Sequence, residues 1–307
     1  MITKKAFFSF TFISNSLFSY QMAEKKIHLH FDINKTIIAM DAVQGKGIEE
    51  TVNGILAEFT FEKWDGKTEQ SFYAYLTNQI AQENPNLSRT SGIFKKIRAE
   101  RLAHFPEYLQ QYPELLAQYE KDKAIMLQIL STEKMAIFPS FFKTIEWLNQ
   151  NYPKNYAIYL RTFGKDLSEI IQTLTDKKIL KFANQGQFKE RTLDIADPNK
   201  PLSEFFKNPD LNHYALCDDY KYWESKGFQA VGGKPFFIDI NDLQNISIFF
   251  DDNANDPDKP IICPIDHSGN LQDTNQLMEK GNIVAVNPKE AILNENYFVD
   301  KIKLVIT

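Results

Sequence analysis

The chain has 307 residues, 43% of them hydrophobic, which is enough for one large domain or a core with an inserted subdomain. A formal net charge of -5, with 35 Lys and Arg scattered rather than clustered, leaves no basic footprint for nucleic acid. Two distant cysteines, Cys217 and Cys263, neither in a C-x-x-C pair, exclude a disulfide framework and a zinc ribbon and suit a reducing compartment.

Met1 to Lys5 carries two lysines, and Ala6 to Tyr20 is rich in Phe but interrupted by Ser9, Thr11, Ser14, Asn15 and Ser16. The stretch is too short and too polar to span a bilayer. Cleavage after Ala23 would leave Gln21 where a small residue is needed, so a signal peptide and export form the lesser alternative. Residues 1–22 are expected to be a leader upstream of a start at Met22, and the protein to be cytoplasmic without a membrane partner.

Ile27 to Phe31 predicts the first strand, and its C-terminal edge delivers Asp32. From Val43 to Lys134 the apolar spacing is helical, as in Leu116, Tyr119, Leu127 and Leu130, with Asn84-Pro85-Asn86 as a loop between helices. Phe141, Ile145 and Leu148 mark a helix ending near Asn151, followed by a strand over Tyr156 to Leu160 that runs into "RTFG". Asp166 is placed to cap a helix whose apolar face is Leu167, Ile170, Ile171 and Leu174. Further strands are expected over Phe236 to Ile240, Ile246 to Phe250 and Ile283 to Val286. Short apolar strands alternating with helices predict an α/β fold: a three-layer, Rossmann-like parallel sheet core with a mostly helical cap inserted after the first strand. The core comprises residues 23–42 and 135–307, and the cap residues 43–134. The cap is expected to form a separable lid hinged near Ala42 and Ala136.

In such sheets ligands bind beyond the carboxyl ends of the strands, which is where Asp32, Thr162 and the acidic group Asp251, Asp252 and Asp256 fall. Singly, each reads as a turn, cap or solvated residue. "DDNANDPDKPII" is not an EF-hand, because its sixth and twelfth positions are Asp256 and Ile262 where Gly and Glu are required. No G-x-x-x-x-G-K-[ST] and no strand-following G-x-G-x-x-G occurs. His28 and His30 share one face of the first strand and read as buried, satisfied side chains before catalytic ones. Lys234 in "GGKPFF" reads equally well as a surface lysine beside a Gly-Gly turn.

In order along the chain, Asp32-Ile33-Asn34-Lys35-Thr36, Thr162 in "YLRTFG", Lys234 in "GGKPFF" and "FFDDNAND" resemble the four motifs of haloacid dehalogenase-like hydrolases, in a branch reading F-D-x-N-K-T-I. The resemblance implies a Mg²⁺-dependent phosphohydrolase or phosphotransferase acting on a small phosphorylated molecule or a phosphoprotein. In that scheme Asp32 is nucleophile and metal ligand and Asn34 lends its backbone carbonyl. Asp252, or Asp251 one register earlier, is the third ligand, with Asp256 in support. Thr162, Arg161 and Lys234 would hold the phosphoryl group. Two anions can react only if a cation neutralises and aligns them, and hard oxygen ligands suit Mg²⁺.

The resemblance also locates a departure. Phosphatases of that superfamily usually carry a second Asp where this chain has Asn34, and an amide can neither protonate a leaving oxygen nor activate water. Losing such a group costs about 10²- to 10⁴-fold in rate. The opposing expectation is therefore a binding module that keeps the fold without turnover.

Overall fold

The computed structural model describes residues 25–39, 47–131, 135–164, 166–207 and 213–306. The leader and the hinge position Ala42 lie outside the described residues. Strand β1 (Lys26–Asp32) is followed by helix α1 (Ile48–Glu58), the short hairpin β2 (Phe61–Glu62) and β3 (Gln70–Ser71), and helices α2 (Phe72–Glu83), α3 (Gly92–Ala103), α4 (Phe105–Tyr108) and α5 (Pro113–Leu130). Ser71 and Ser91 cap α2 and α3 through hydrogen bonds accepted from Ala74 and Phe94 N–H, and Pro113 opens α5.

The chain returns through α6 (Pro139–Asn151), β4 (Tyr156–Thr162), α7 (Leu167–Asp176), β5 (Phe182–Lys189), β6 (Thr192–Leu193), α8 (Leu202–Lys207), β7 (His213–Cys217) and α9 (Tyr220–Ser225). It ends with β8 (Lys234–Phe237), β9 (Asn245–Asp251), β10 (Ile262–Ile265), α10 (Thr274–Glu279), β11 (Ile283–Ala285), α11 (Pro288–Leu293) and α12 (Tyr297–Ile306).

The central sheet has seven strands in the order β11-β9-β1-β4-β7-β5-β6. All its pairings are parallel except β5 with β6 at one edge. This is a mixed α/β architecture with a mostly parallel sheet flanked by helices. Alternation along β1 sends Ile27, Leu29 and Phe31 into the apolar cluster filled by Phe141, Ile170, Leu174 and Phe298 from α6, α7 and α12. His28 and His30 point to the opposite face, where Tyr159, Phe206, Trp223, Phe236 and Phe249 close the second layer.

One expectation needs correction. The strand placed at Phe236 to Ile240 begins at Lys234 and lies outside the main sheet, pairing only with β10. The reason is local: a Cβ on Gly233 would meet the Ile261 carbonyl oxygen at 2.3 Å, so the Gly-Gly step lets β8 run against β10 at close quarters. Residues 48–130 pack into the apolar cluster of the sheet. Ile55, Phe94, Phe105 and Leu130 belong to the same apolar cluster as Phe31 and Phe298. The chain on either side of this helical segment pairs with itself: Ala39 N–H donates to the Ala136 carbonyl and Phe138 N–H to that of Ile37. No helix among the described residues is long and apolar enough to cross a membrane.

Candidate active site

Parallel pairing of β4, β1 and β9 puts Thr162, Asp32 and Asp251 at one edge of the sheet, because each closes its strand. The loop after β1 is a tight turn in which Ile37 and Ile38 N–H donate to the Ile33 carbonyl and Lys35 adopts a left-handed conformation, φ +56°. Such a backbone costs about 1–3 kcal/mol for a residue with a side chain. The turn aims Thr36 inward, where its hydroxyl accepts from the Asp252 N–H at 3.1 Å. Thr36 is fully buried. The two acidic segments are thus fastened by backbone and hydroxyl before any charge is considered.

Asp32, Asp251 and Asp252 each offer a carboxylate oxygen, and these oxygens lie within 4.8 Å of one another. Lys234 enters from β8 and is 1% exposed, which overturns the surface-lysine reading. Its ammonium donates to Asp32 Oδ1 at 2.5 Å and to Asp251 Oδ2 at 2.8 Å, 5.2 Å from the centre of the Phe163 ring. Burial pushes Asp32 up to about 7, and the Asp251 charge adds to the rise that Lys234 opposes. For Lys234 burial acts downward, but the carboxylates of Asp251 and Asp32 win and hold it above the ordinary lysine value.

Both members of the double acid belong to the cluster, in unequal roles. Asp251 is wholly buried, bound to Lys234 through Oδ2 and to the Asn253 N–H through Oδ1. Asp252 is half-buried, and among the described residues no Lys or Arg lies within ion-pair distance of it. Burial, Asp251 and Asp32 raise its pKa well above the ordinary carboxylate value, with Lys35 opposing. Asp256 does not join the group: its carboxylate accepts the N–H groups of Asp258 and Lys259 and so closes its own loop. The expectation that Asp256 converges with the other three acids is therefore corrected.

Arg161 is the second correction. The side chain is fully buried on the His30 face of the sheet and its donors are already engaged. Nε and Nη2 fork onto Asp218 at 3.1 and 2.5 Å, while Nη1 donates to the Pro235 carbonyl at 2.9 Å. Nη1 also lies 3.3 Å from His30 Nδ1. A guanidinium has no acceptor, so Nδ1 of a neutral His30 accepts this contact. Burial and then the Arg161 charge hold His30 well below its usual pKa, consistent with that assignment. Arg161 is a buttress joining β4, β7 and β8, unavailable to a phosphoryl group. Asp218 went unnoticed because it follows β7, a five-residue strand flanked by polar residues whose apolar run is too short to stand out.

Thr162 is 1% exposed, its hydroxyl accepts the Gly164 N–H at 2.8 Å, and its own proton remains to be donated. Asn34 Nδ2 donates to Asp166 Oδ2 at 3.3 Å, which ties the β1 loop to the β4–α7 loop. Asp166 does sit at the N-cap of α7, yet its side chain makes no capping bond there, and the carboxylate turns to Asn34 instead. Lys35 pairs with Glu58 of α1 at 2.8 Å. Burial lowers Lys35, but Glu58 and Asp252 together leave it above the usual lysine value.

Comparisons of the chain with protein-family models, with curated proteins and with solved structures find no match.

Proposed function

We propose that the chain is a haloacid dehalogenase-like, Mg²⁺-dependent phosphohydrolase or phosphotransferase that works through an aspartyl-phosphate on Asp32. The observation that carries this reading is the buried Asp32–Lys234–Asp251 ion cluster with Asp252 beside it. Three clustered carboxylates, only two of them bound to the one ammonium, leave negative charge that burial cannot tolerate. The donor set fits a divalent cation, since three hard carboxylate oxygens within 4.8 Å match the ligands Mg²⁺ prefers. Asp32 and Asp252, with the Asn34 backbone carbonyl, would hold the ion, while Asp251 keeps Lys234 in place.

When bound, Mg²⁺ would neutralise the attacking carboxylate and the phosphoryl oxygens and hold them in line. Lys234 fixes Asp32 Oδ1 and contributes positive charge where the phosphoryl group gains negative charge. The Thr162 hydroxyl, oriented by Gly164, donates to a phosphoryl oxygen. The inserted helices act as a lid that excludes water, anchored to the reacting loop by the Lys35–Glu58 pair. The substrate is a small phosphorylated molecule or a phosphoprotein.

A second reading, a phosphate-binding module without turnover, is favoured by one observation. Position 34 is an amide already engaged with Asp166, and neither proton donation nor water activation is open to it. Incubation with acetyl phosphate and Mg²⁺ followed by peptide mass spectrometry separates the two. One added phosphoryl group on the Asp32 peptide, absent in Asp32→Asn, is expected. Failure to form any adduct would leave the binding module.

A further inference from the structure

A cavity of about 320 Å³ lies between the loop after β1 and the inserted helices α1, α2 and α3, next to the acidic cluster through Lys35. Its wall carries four cations, Lys35, Lys95, Lys96 and Arg98, against two glutamates, Glu50 and Glu58. Glu58 is committed to Lys35 at 2.8 Å, and Lys96 turns to Glu100 at 4.0 Å. Lys95 and Arg98, three positions apart on α3, thus present one helix face to the cavity. Among the described residues neither has an ion-pair partner. The Arg98 guanidinium carbon lies over the Tyr73 ring, 4.5 Å from its centre, and 5.9 Å from that of Phe94. This cation–π contact restrains the long side chain without using up its N–H donors. In a chain of net charge -5, such an uncompensated positive wall is a local departure from the average.

We infer that this cavity is a second anion subsite, in which Arg98 and Lys95 hold a carboxylate or second phosphate on the part of the substrate that does not react. The volume is at the lower end of the range for small-molecule sites and suits a compact group. The arrangement selects substrates with two anionic ends, one over Asp32 and one on α3, and disfavours neutral phosphate esters. It rests on the phosphoryl-transfer reading for the chemistry next door, but the charge of the cavity does not.

The test is calorimetric titration of inorganic phosphate into the full chain in EDTA, where the acidic cluster has no cation with which to attract an anion. Binding to the wild type is expected, weakened at least about tenfold in the double variant Lys95→Gln with Arg98→Gln. Arg98→Lys alone, which keeps the charge but loses the planar fork, should fall between them. Absence of binding to the wild type, or equal binding to the double variant, would overturn the subsite. These outcomes do not depend on whether Asp32 becomes phosphorylated. Where turnover is measurable, KM for a phosphate ester carrying a second carboxylate should rise in the double variant. For an aryl phosphate without one, kcat/KM should stay within about twofold, since no contact is lost; an equal loss for both would also overturn it.

Discussion

Lys234 and Asp32 stand 202 residues apart in sequence and 2.5 Å apart in space, both withdrawn from solvent. The contact joins β1 of the main sheet to β8 of the small one. It is the only direct neutralisation that Asp32 receives from a side chain among the described residues.

Lys234→Met should therefore leave Asp32 and Asp251 buried without a counter-ion. Removing one partner of a buried pair typically destabilises by about 3–5 kcal/mol, to be read from urea unfolding near neutral pH. The loss should shrink in acid, where the carboxylates are protonated. A change below about 1 kcal/mol, the value of an exposed pair, would mean that Lys234 is not the clamp the geometry describes.

Titration gives the next expectation. Asp32 is raised to about 7 from an ordinary 3.8, so between those values the folded protein holds a proton that the unfolded chain releases. Its contribution to stability therefore falls as pH rises through this window, with the full penalty above 7. The buried histidines act the other way: His28 is lowered to about 4 from 6.5, mainly by burial, and stability from it is lost as pH falls below the unfolded value. Between about 4 and 6.5 the two slopes largely cancel, so without metal the Asp32 penalty should show as a loss of stability as pH rises from about 6.5 to 7. Millimolar Mg²⁺ binds only deprotonated carboxylates, so its rise in Tm should be larger at about pH 8 than at about pH 5. Asp252→Ala should remove most of that rise. A Tm indifferent to Mg²⁺ at both pH values would exclude the metal site.

The order and edge of the motifs were legible from the sequence because a buried parallel strand announces itself by an apolar run, as in β1, β4 and β9, and its carboxyl end fixes where the next residue falls. What escaped was contact made across elements. Nothing in "YLRTFG" says that Arg161, which lies beside Asp32 in register, is taken up by Asp218 and Pro235, since those partners come from β7 and β8. Polar β5, with Asn184, Gln185 and Gln187, gives no strand signal, and its pairing with β7 comes from the sheet around it. The Asp166 carboxylate was expected to cap α7, and only the fold brings Asn34 near enough to compete for it.

The Arg161–Asp218 fork gives a further prediction. Asp218→Asn keeps the shape but removes the charge that balances a fully buried guanidinium, so a loss of about 3–5 kcal/mol is expected. Arg161→Lys should also destabilise, because a single ammonium cannot replace the fork onto Asp218 and the bond to Pro235. Chemical denaturation measures both. If Arg161→Lys instead kept wild-type stability and raised KM for a phosphate ester alone, Arg161 would be a substrate ligand after all.

The last prediction turns on Asn34. A leaving group of low pKa departs without a proton, so acyl and aryl phosphates should be accepted while alkyl phosphates stay nearly inert. The same amide cannot activate water, so the adduct on Asp32 should persist, giving a burst followed by slow turnover. Asn34→Asp would set a new carboxyl against Asp166, which the present amide contacts at 3.3 Å. Two carboxyls at that distance resist joint ionisation, so one keeps a proton towards neutral pH, as a general acid requires. Turnover of alkyl phosphates should then rise by about 10- to 1000-fold, below the full general-acid effect because the site is shaped around an amide. Removing the Asp166 charge as well, in Asn34→Asp with Asp166→Asn, should lower the pH at which the acid limb falls. Rapid-quench kinetics with alkyl and aryl phosphates reads all of this, and wild-type hydrolysis of both classes at equal rates would show that a group other than residue 34 already delivers the proton.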